Sequence, residues 1–200
     1  MGEEAGRERV RLEKRGPSPK PALHLVPIYC GSRAFLLPPL AEKLSAVFGL
    51  RIEQHPPDFD PEAAFDPSRG QYNSRILLAQ LLKGNDRDGR RILGVTSVDL
   101  FIPVLTYVFG EAQLDGPAAV VSAYRLDNEI YGLPPDPGLL LERLCKEAIH
   151  ELGHTYNLLH CHQYGCVMGS VARVDGVDLK SDRFCLSCLQ ALRGRTVVGA

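Results

Sequence analysis

The run His150-Glu151-Leu152-Gly153-His154, followed by His160-Cys161, limits what this chain can fold into more than any other stretch. Residues four apart on an α-helix share a face, about 6 Å of rise from each other, so His150 and His154 can offer two ring nitrogens to one ion. Glu151 is rotated by roughly 100° from His150 and approaches the ion's open side, the position of a general base beside a metal-bound water. The helix is signalled independently. Asp136-Pro137 offers a cap and a first-turn proline, and Leu139 to Ala148 is strong helix-forming sequence with a favourable Glu142–Lys146 pair.

A third ligand has to come from beyond the helix. His160 lies six residues past His154, so the chain must turn sharply for it to reach the same ion. Asn157 is the expected pivot, because asparagine is second only to glycine in tolerating a positive φ. The competing reading is two ordinary helix histidines beside a chance glutamate. It fits a bare HExxH and fits poorly once His160 stands at the added spacing.

Cys161, Cys166, Cys185 and Cys188 form two pairs with a loop between them, and the second pair is a CxxC. Four thiolates close a tetrahedral zinc sphere, so such an ion joins chain segments and does no chemistry. Three alternatives compete with this structural zinc: a pair of disulfides, a redox CxxC and free buried thiols. Disulfides call for an oxidising compartment, which nothing here signals, and a redox motif calls for a thioredoxin-like context that Cys185 to Cys188 lacks. Cys30 and Cys145 sit in apolar runs and read as core. His162 is left out because both spheres are already filled. His24 and His55 have no ligand-spaced partner and read as structural or exposed. Since His160 and Cys161 are consecutive, and successive side chains of extended chain point to opposite faces, one would serve the catalytic ion and the next the structural ion.

HExxHxxxxxHC, continued as Cys161-x4-Cys166-x-Met168 and then Cys185-x2-Cys188, resembles the archaemetzincin family of zinc metallopeptidases. Arg69-Gly70-Gln71-Tyr72-Asn73-Ser74 and Gly94 to Phe101 resemble it too, so the likeness spans most of the chain after the first twenty or so residues. The family's motif usually carries glycine where this chain has Asn157. The resemblance implies a compact metzincin-like zincin domain, and a Met-turn in which Met168 lies beneath the three imidazoles as a soft, polarisable floor. It also implies that an extended substrate pairs with a sheet edge above the metal. Ala118 to Tyr124 could be that edge, or equally an interior strand.

The rest of the chain reads as α/β. Strands are expected at Ala22–Tyr29, Arg51–Gln54, Arg91–Leu100 and Ala118–Leu126, and helices at Phe35–Phe48 and Tyr72–Lys83, the latter stopped by Gly84-Asn85. This alternation points to a twisted mixed sheet with helices, one of them the HExxH helix, and a small irregular region stapled by the four cysteines over about 160–190. With 44% apolar residues, 200 residues support one core, so residues 22–200 are expected as a single catalytic domain. Residues 1–21 are charged and proline-rich and read as a solvated polar tail without a signal sequence. A net charge of −1 argues against a broad attraction to nucleic acid, and no apolar run reaches transmembrane length.

These readings converge on a cytoplasmic, monomeric zinc metallopeptidase that acts on peptides or proteins. It would carry two Zn2+: a catalytic ion on His150, His154 and His160, with Glu151 as base, and a structural ion on the cysteines. Tyr164 is near in sequence, but no oxyanion-assisting side chain can be named. A two-zinc scaffold that keeps the fold without catalysis is the main alternative, and the retained Glu151 argues against it. A nucleic-acid-binding zinc module is a third, disfavoured by the charge balance.

Overall fold

Strands buried on both faces form the centre of the fold, and their side chains divide by the two-residue period. Leu23, Leu25, Leu93, Val95, Ala119 and Val121 face one core, while Val26, Ile28, Ile92, Ala118 and Val120 face another on the opposite side. The computed structural model describes residues 22–83 and 90–196. The polar tail and the Gly84-Asn85 stop lie outside them.

Five strands make the main sheet in the order β2-β1-β5-β9-β8: β1 (Ala22–Ile28), β2 (Arg51–Gln54), β5 (Arg91–Thr96), β8 (Gly110–Ala112) and β9 (Ala118–Ser122). The first four in that order run parallel, and β8 closes one edge antiparallel to β9. A smaller sheet joins β3 (Phe65–Asp66), β4 (Gln71–Asn73), β6 (Leu100–Ile102) and β7 (Leu105–Val108). Helices α1 (Leu37–Phe48) and α3 (Pro137–Thr155) pack on one face of the main sheet, and α2 (Ser74–Lys83) on the other. The short α4 (Val174–Leu179) and α5 (Leu186–Thr196) follow.

The α/β expectation holds, with two boundaries moved by side chains and a third by strand pairing. Arg91–Leu100 is not one strand. After Thr96 the chain bends, with Thr96 Oγ1 accepting from Val98 N–H and Ser122 Oγ donating to Val98 O, and it enters the smaller sheet at Leu100. Asp99 anchors the bend by accepting from Arg125 and Gln71. Ala118–Leu126 likewise stops at Ser122, whose hydroxyl accepts from Tyr124 N–H. The second helix begins at Ser74, because Gln71–Asn73 pair with strands on both sides. The β6–β7–β8 strands were not expected from sequence; they are three or four residues long, too short for alternation to register.

Helix α3 starts as read. Asp136 Oδ1 accepts from Leu139 N–H at 2.9 Å, Pro137 occupies the first turn, and Lys146 Nζ meets Glu142 Oε1 at 2.7 Å. At its other end Arg91 Nη1 donates to Thr155 O at 2.8 Å, and the guanidinium lies 3.5 Å from the centre of the Tyr156 ring. A cation there complements the helix dipole and ties α3 to a central strand. Asp136→Ala should destabilise the protein by about 1 kcal/mol, read as a lower urea midpoint with an unchanged m-value.

Candidate active site

Helix α3 ends in a turn that sends the chain back towards its own last residues. Asn157 adopts φ 60°, Asn157 N–H donates to His154 O, and Leu158 N–H donates to Gly153 O. This is a Schellman arrangement with asparagine in the left-handed position. The Asn157 side-chain oxygen accepts from Arg195 Nη2 at 2.7 Å, which holds the pivot against α5.

The turn also aims an imidazole. The Leu158 carbonyl accepts from His154 Nδ1 at 2.7 Å, and the Val167 carbonyl accepts from His150 Nδ1 at 2.9 Å. A carbonyl can only accept, so both Nδ1 atoms carry the proton and both Nε2 lone pairs are free. Those Nε2 atoms stand 3.1 Å apart. The His160 ring centre lies 5.3 Å from that of His150 and 4.9 Å from that of His154. One nitrogen from each of the three histidines falls within a cluster less than 4.8 Å across. Tetrahedral zinc with bonds of about 2.0–2.1 Å sets its nitrogens about 3.3 Å apart, so the donor set fits such an ion. Burial pushes the His150 pKa down to about 3, which keeps that ring neutral, as a ligand must be, and lowers that of His154 in the same direction.

Glu151 lies beside this cluster, and its carboxyl is held well above the usual range, first by burial and then by the charge of Glu147. Gly110 of β8 covers it: a Cβ there would stand 2.6 Å from Glu151 Cγ, so only glycine lets the edge-strand backbone lie on the side chain. Leu105 to Gly110, Glu147, His150, Glu151, His160, Ser170 to Ala172 and Lys180 enclose a groove of about 530 Å³. Tyr107 Oη donates to Ala172 O at 2.9 Å, joining two of its walls.

The four cysteines also converge. Cys161 Sγ lies 3.8 Å from Cys185 Sγ, and Cys166 Sγ lies 3.9 Å from Cys188 Sγ. Tetrahedral zinc with bonds of about 2.3 Å sets its sulfurs about 3.8 Å apart. Gln163 N–H donates to Cys161 Sγ, and Cys185 N–H to Cys166 Sγ, each at 3.4 Å. Such contacts suit thiolates, and the geometry fits a four-sulfur ion. Met168 is fully buried next to the active-site helix, where the missing side chain of Gly153 makes room for it.

The chain matches the model of peptidase family M54 over residues 59–194. It is 43% identical over 158 residues to the archaemetzincin of Methanocaldococcus jannaschii, covering 79% of this chain and 86% of that one. To the archaemetzincin of Methanopyrus kandleri it is 47% identical over 133 residues, covering 66% and 72%. The chain belongs to this family. It is therefore a zinc metallopeptidase. The crystal structure of the Methanopyrus kandleri archaemetzincin superposes with a TM-score of 0.77 at 38% identity, covering 89% of this chain and 96% of that one. A structure titled as a zinc-dependent peptidase from Methanocorpusculum labreanum gives 0.73 at 30% identity, covering 86% and 100%.

The structure decides two points that the sequence left open. Strand β9 is interior, paired to β5 on one side and β8 on the other, so the edge above the histidines is β8. Tyr164 is 84% exposed and does not line the groove. Cys30 and Cys145 are buried, as expected.

Sequence reading missed Glu147 and Lys180. Lys180 Nζ meets Glu147 Oε1 at 2.7 Å and donates to Gly169 O at 3.2 Å, with both side chains about 5% exposed. The pair ties α3, one turn before His150, to the loop after Met168. Glu147 stands four residues before Glu151, on the same helix face; that spacing was the available signal.

Gly153→Ala would place its Cβ 2.4 Å from Met168 Sδ. It should lower the melting temperature by an amount corresponding to about 1–3 kcal/mol and weaken zinc retention against a chelator. Adding Met168→Ala should relieve part of the loss, so the two substitutions are non-additive by double-mutant cycle.

Proposed function

We propose that His150, His154 and His160 hold a catalytic zinc, that Cys161, Cys166, Cys185 and Cys188 hold a structural zinc, and that Glu151 is the general base for peptide-bond hydrolysis. The observation that carries this reading is the 3.1 Å approach of two Nε2 atoms, each with its Nδ1 committed to a carbonyl, in the groove that Glu151 lines. When bound, zinc supplies Lewis acidity, which polarises the scissile carbonyl and acidifies a coordinated water.

The chain's own residues do the rest. Glu151 takes the proton of the attacking water and delivers it to the leaving amine. Its burial under Gly110 keeps bulk water from competing for that proton. An extended peptide lies along the outer edge of β8, where backbone hydrogen bonds position it without demanding a particular side chain. Met168 supports the imidazoles from below, and the Glu147–Lys180 pair fixes the loop that follows it. Residues 22–200 act as one catalytic domain, monomeric and in the cytoplasm, where four thiolates persist as metal ligands rather than disulfides. Among the described residues no helix is long and apolar enough to cross a membrane.

Glu151→Gln keeps the side chain's shape and removes its basicity. Digestion of a peptide library, read by mass spectrometry, should fall by about 10²–10⁴-fold in rate while metal analysis still finds zinc bound. Hydrolysis persisting at the wild-type rate would exclude Glu151 as base.

Cys188 lies far along the chain from the histidines, yet its zinc would position His160 through Cys161. Cys188→Ala should therefore weaken zinc binding at the histidine site, measured by chelator competition. Unchanged affinity there would mean that the two centres are mechanically independent.

A further inference from the structure

His24 and His55, which have no ligand-spaced partner in sequence, meet at the sheet edge opposite the active-site groove. Parallel pairing sets His24 of β1 directly against Glu53 of β2. His55 is two residues beyond Glu53 and extends the ladder by donating its backbone N–H to Leu25 O at 3.0 Å. Residues two apart in extended chain share a face, so all three side chains meet on the α2 side of the sheet. Glu53 Oε2 lies 3.2 Å from His24 Nε2 and 3.6 Å from His55 Nε2, and the two rings are 4.5 Å apart between centres. One donor atom from each falls within 4.8 Å of the others.

Two arginines border the cluster. Arg51 Nη2 holds the other carboxylate oxygen, Glu53 Oε1, at 2.6 Å, which leaves Oε2 aimed between the imidazoles. Arg90 Nη1 stands 3.4 Å from His24 Nε2. An arginine can only donate, so that contact needs a lone pair on Nε2, whereas the Glu53 contact needs a proton on the same atom. No single protonation state serves both. A cation between His24, His55 and Glu53 Oε2 would use the lone pair and the carboxylate together, with Arg90 moved aside. Burial, followed by the neighbouring His55 and Arg90, lowers the His24 pKa against the opposing pull of Glu53. The cluster opens onto a cavity of about 350 Å³ lined by Val26, Asp58, Phe59, Leu81 and Ile92 among others.

We propose that His24, Glu53 and His55 form a further metal site, separate from both zinc centres, for an imidazole-seeking divalent transition ion such as Zn2+. Two imidazoles and one carboxylate suit such ions over Mg2+ or Ca2+, and the remaining coordination positions face the cavity. The two arginines weaken the site, so its ion exchanges freely and is lost on dialysis while the other zincs stay.

Untagged protein carrying its own zinc, dialysed free of excess metal, is titrated with Zn2+ by calorimetry. One additional equivalent is expected. Glu53→Gln and His55→Ala should each weaken it by at least about tenfold, with unchanged melting temperature before titration and unchanged peptidase rate. Arg90→Ala should tighten it, a response that nonspecific surface adsorption would not give. Absence of the extra equivalent in wild type at millimolar Zn2+, or its persistence in both Glu53→Gln and His55→Ala, overturns the proposal. Neither result bears on the catalytic assignment.

Discussion

The left-handed turn at Asn157 is the constraint on which the candidate active site depends. Helix α3 can supply two imidazoles and a carboxylate by periodicity alone, but His160, Cys161 and Met168 reach them only because the chain reverses within three residues of His154. The same turn presents the Leu158 carbonyl to His154 Nδ1, so one backbone feature both closes the helix and orients a candidate ligand. Asparagine tolerates the positive φ less readily than glycine, and the hydrogen bond from Arg195 holds it there.

Below that turn, α3 buries Arg143, Lys146 and Glu147, and each of the three has a specific partner. Arg143 donates to both oxygens of Asp178 at 2.7 Å, as well as to Leu126 O and Asn128 Oδ1. Lys146 pairs with Glu142, and Glu147 with Lys180. Buried pairs add little net stability, because desolvation offsets most of the attraction, but losing one partner is costly. Their effect is to fix position. They clamp α4 and the loops on either side of it against the active-site helix, and those loops contribute the groove wall opposite β8. This ion-paired seam does for the C-terminal third part of what sheet hydrogen bonding does for the rest.

The helix, its cap, its i,i+4 pair and the pivot at Asn157 were all legible in the sequence, because each depends on residues within six positions of one another. The four cysteines were legible as a group for a different reason: few other roles use that spacing. Strand ends were less legible. Arg91–Leu100 and Ala118–Leu126 continue as apolar runs past the points where Thr96 and Ser122 turn the backbone with their hydroxyls. Glu147 showed only its four-residue spacing from Glu151, Glu53 and His55 only their two-residue spacing, and Lys180 and His24 gave no local signal, since their partners come from other elements.

By itself the sequence determined the available chemistry: which residues can ligate, which can act as base, and that His160 and Cys161 stand side by side between two groups of side chains that could each hold a metal. Tertiary structure decided what surrounds that chemistry. It made β8 rather than β9 the free edge, laid Gly110 over Glu151, and set His24 against Glu53. The physical reason is one of range. Helical spacing and turn preference are local properties of the chain, whereas strand order and register are settled only when the whole sheet buries both faces at once.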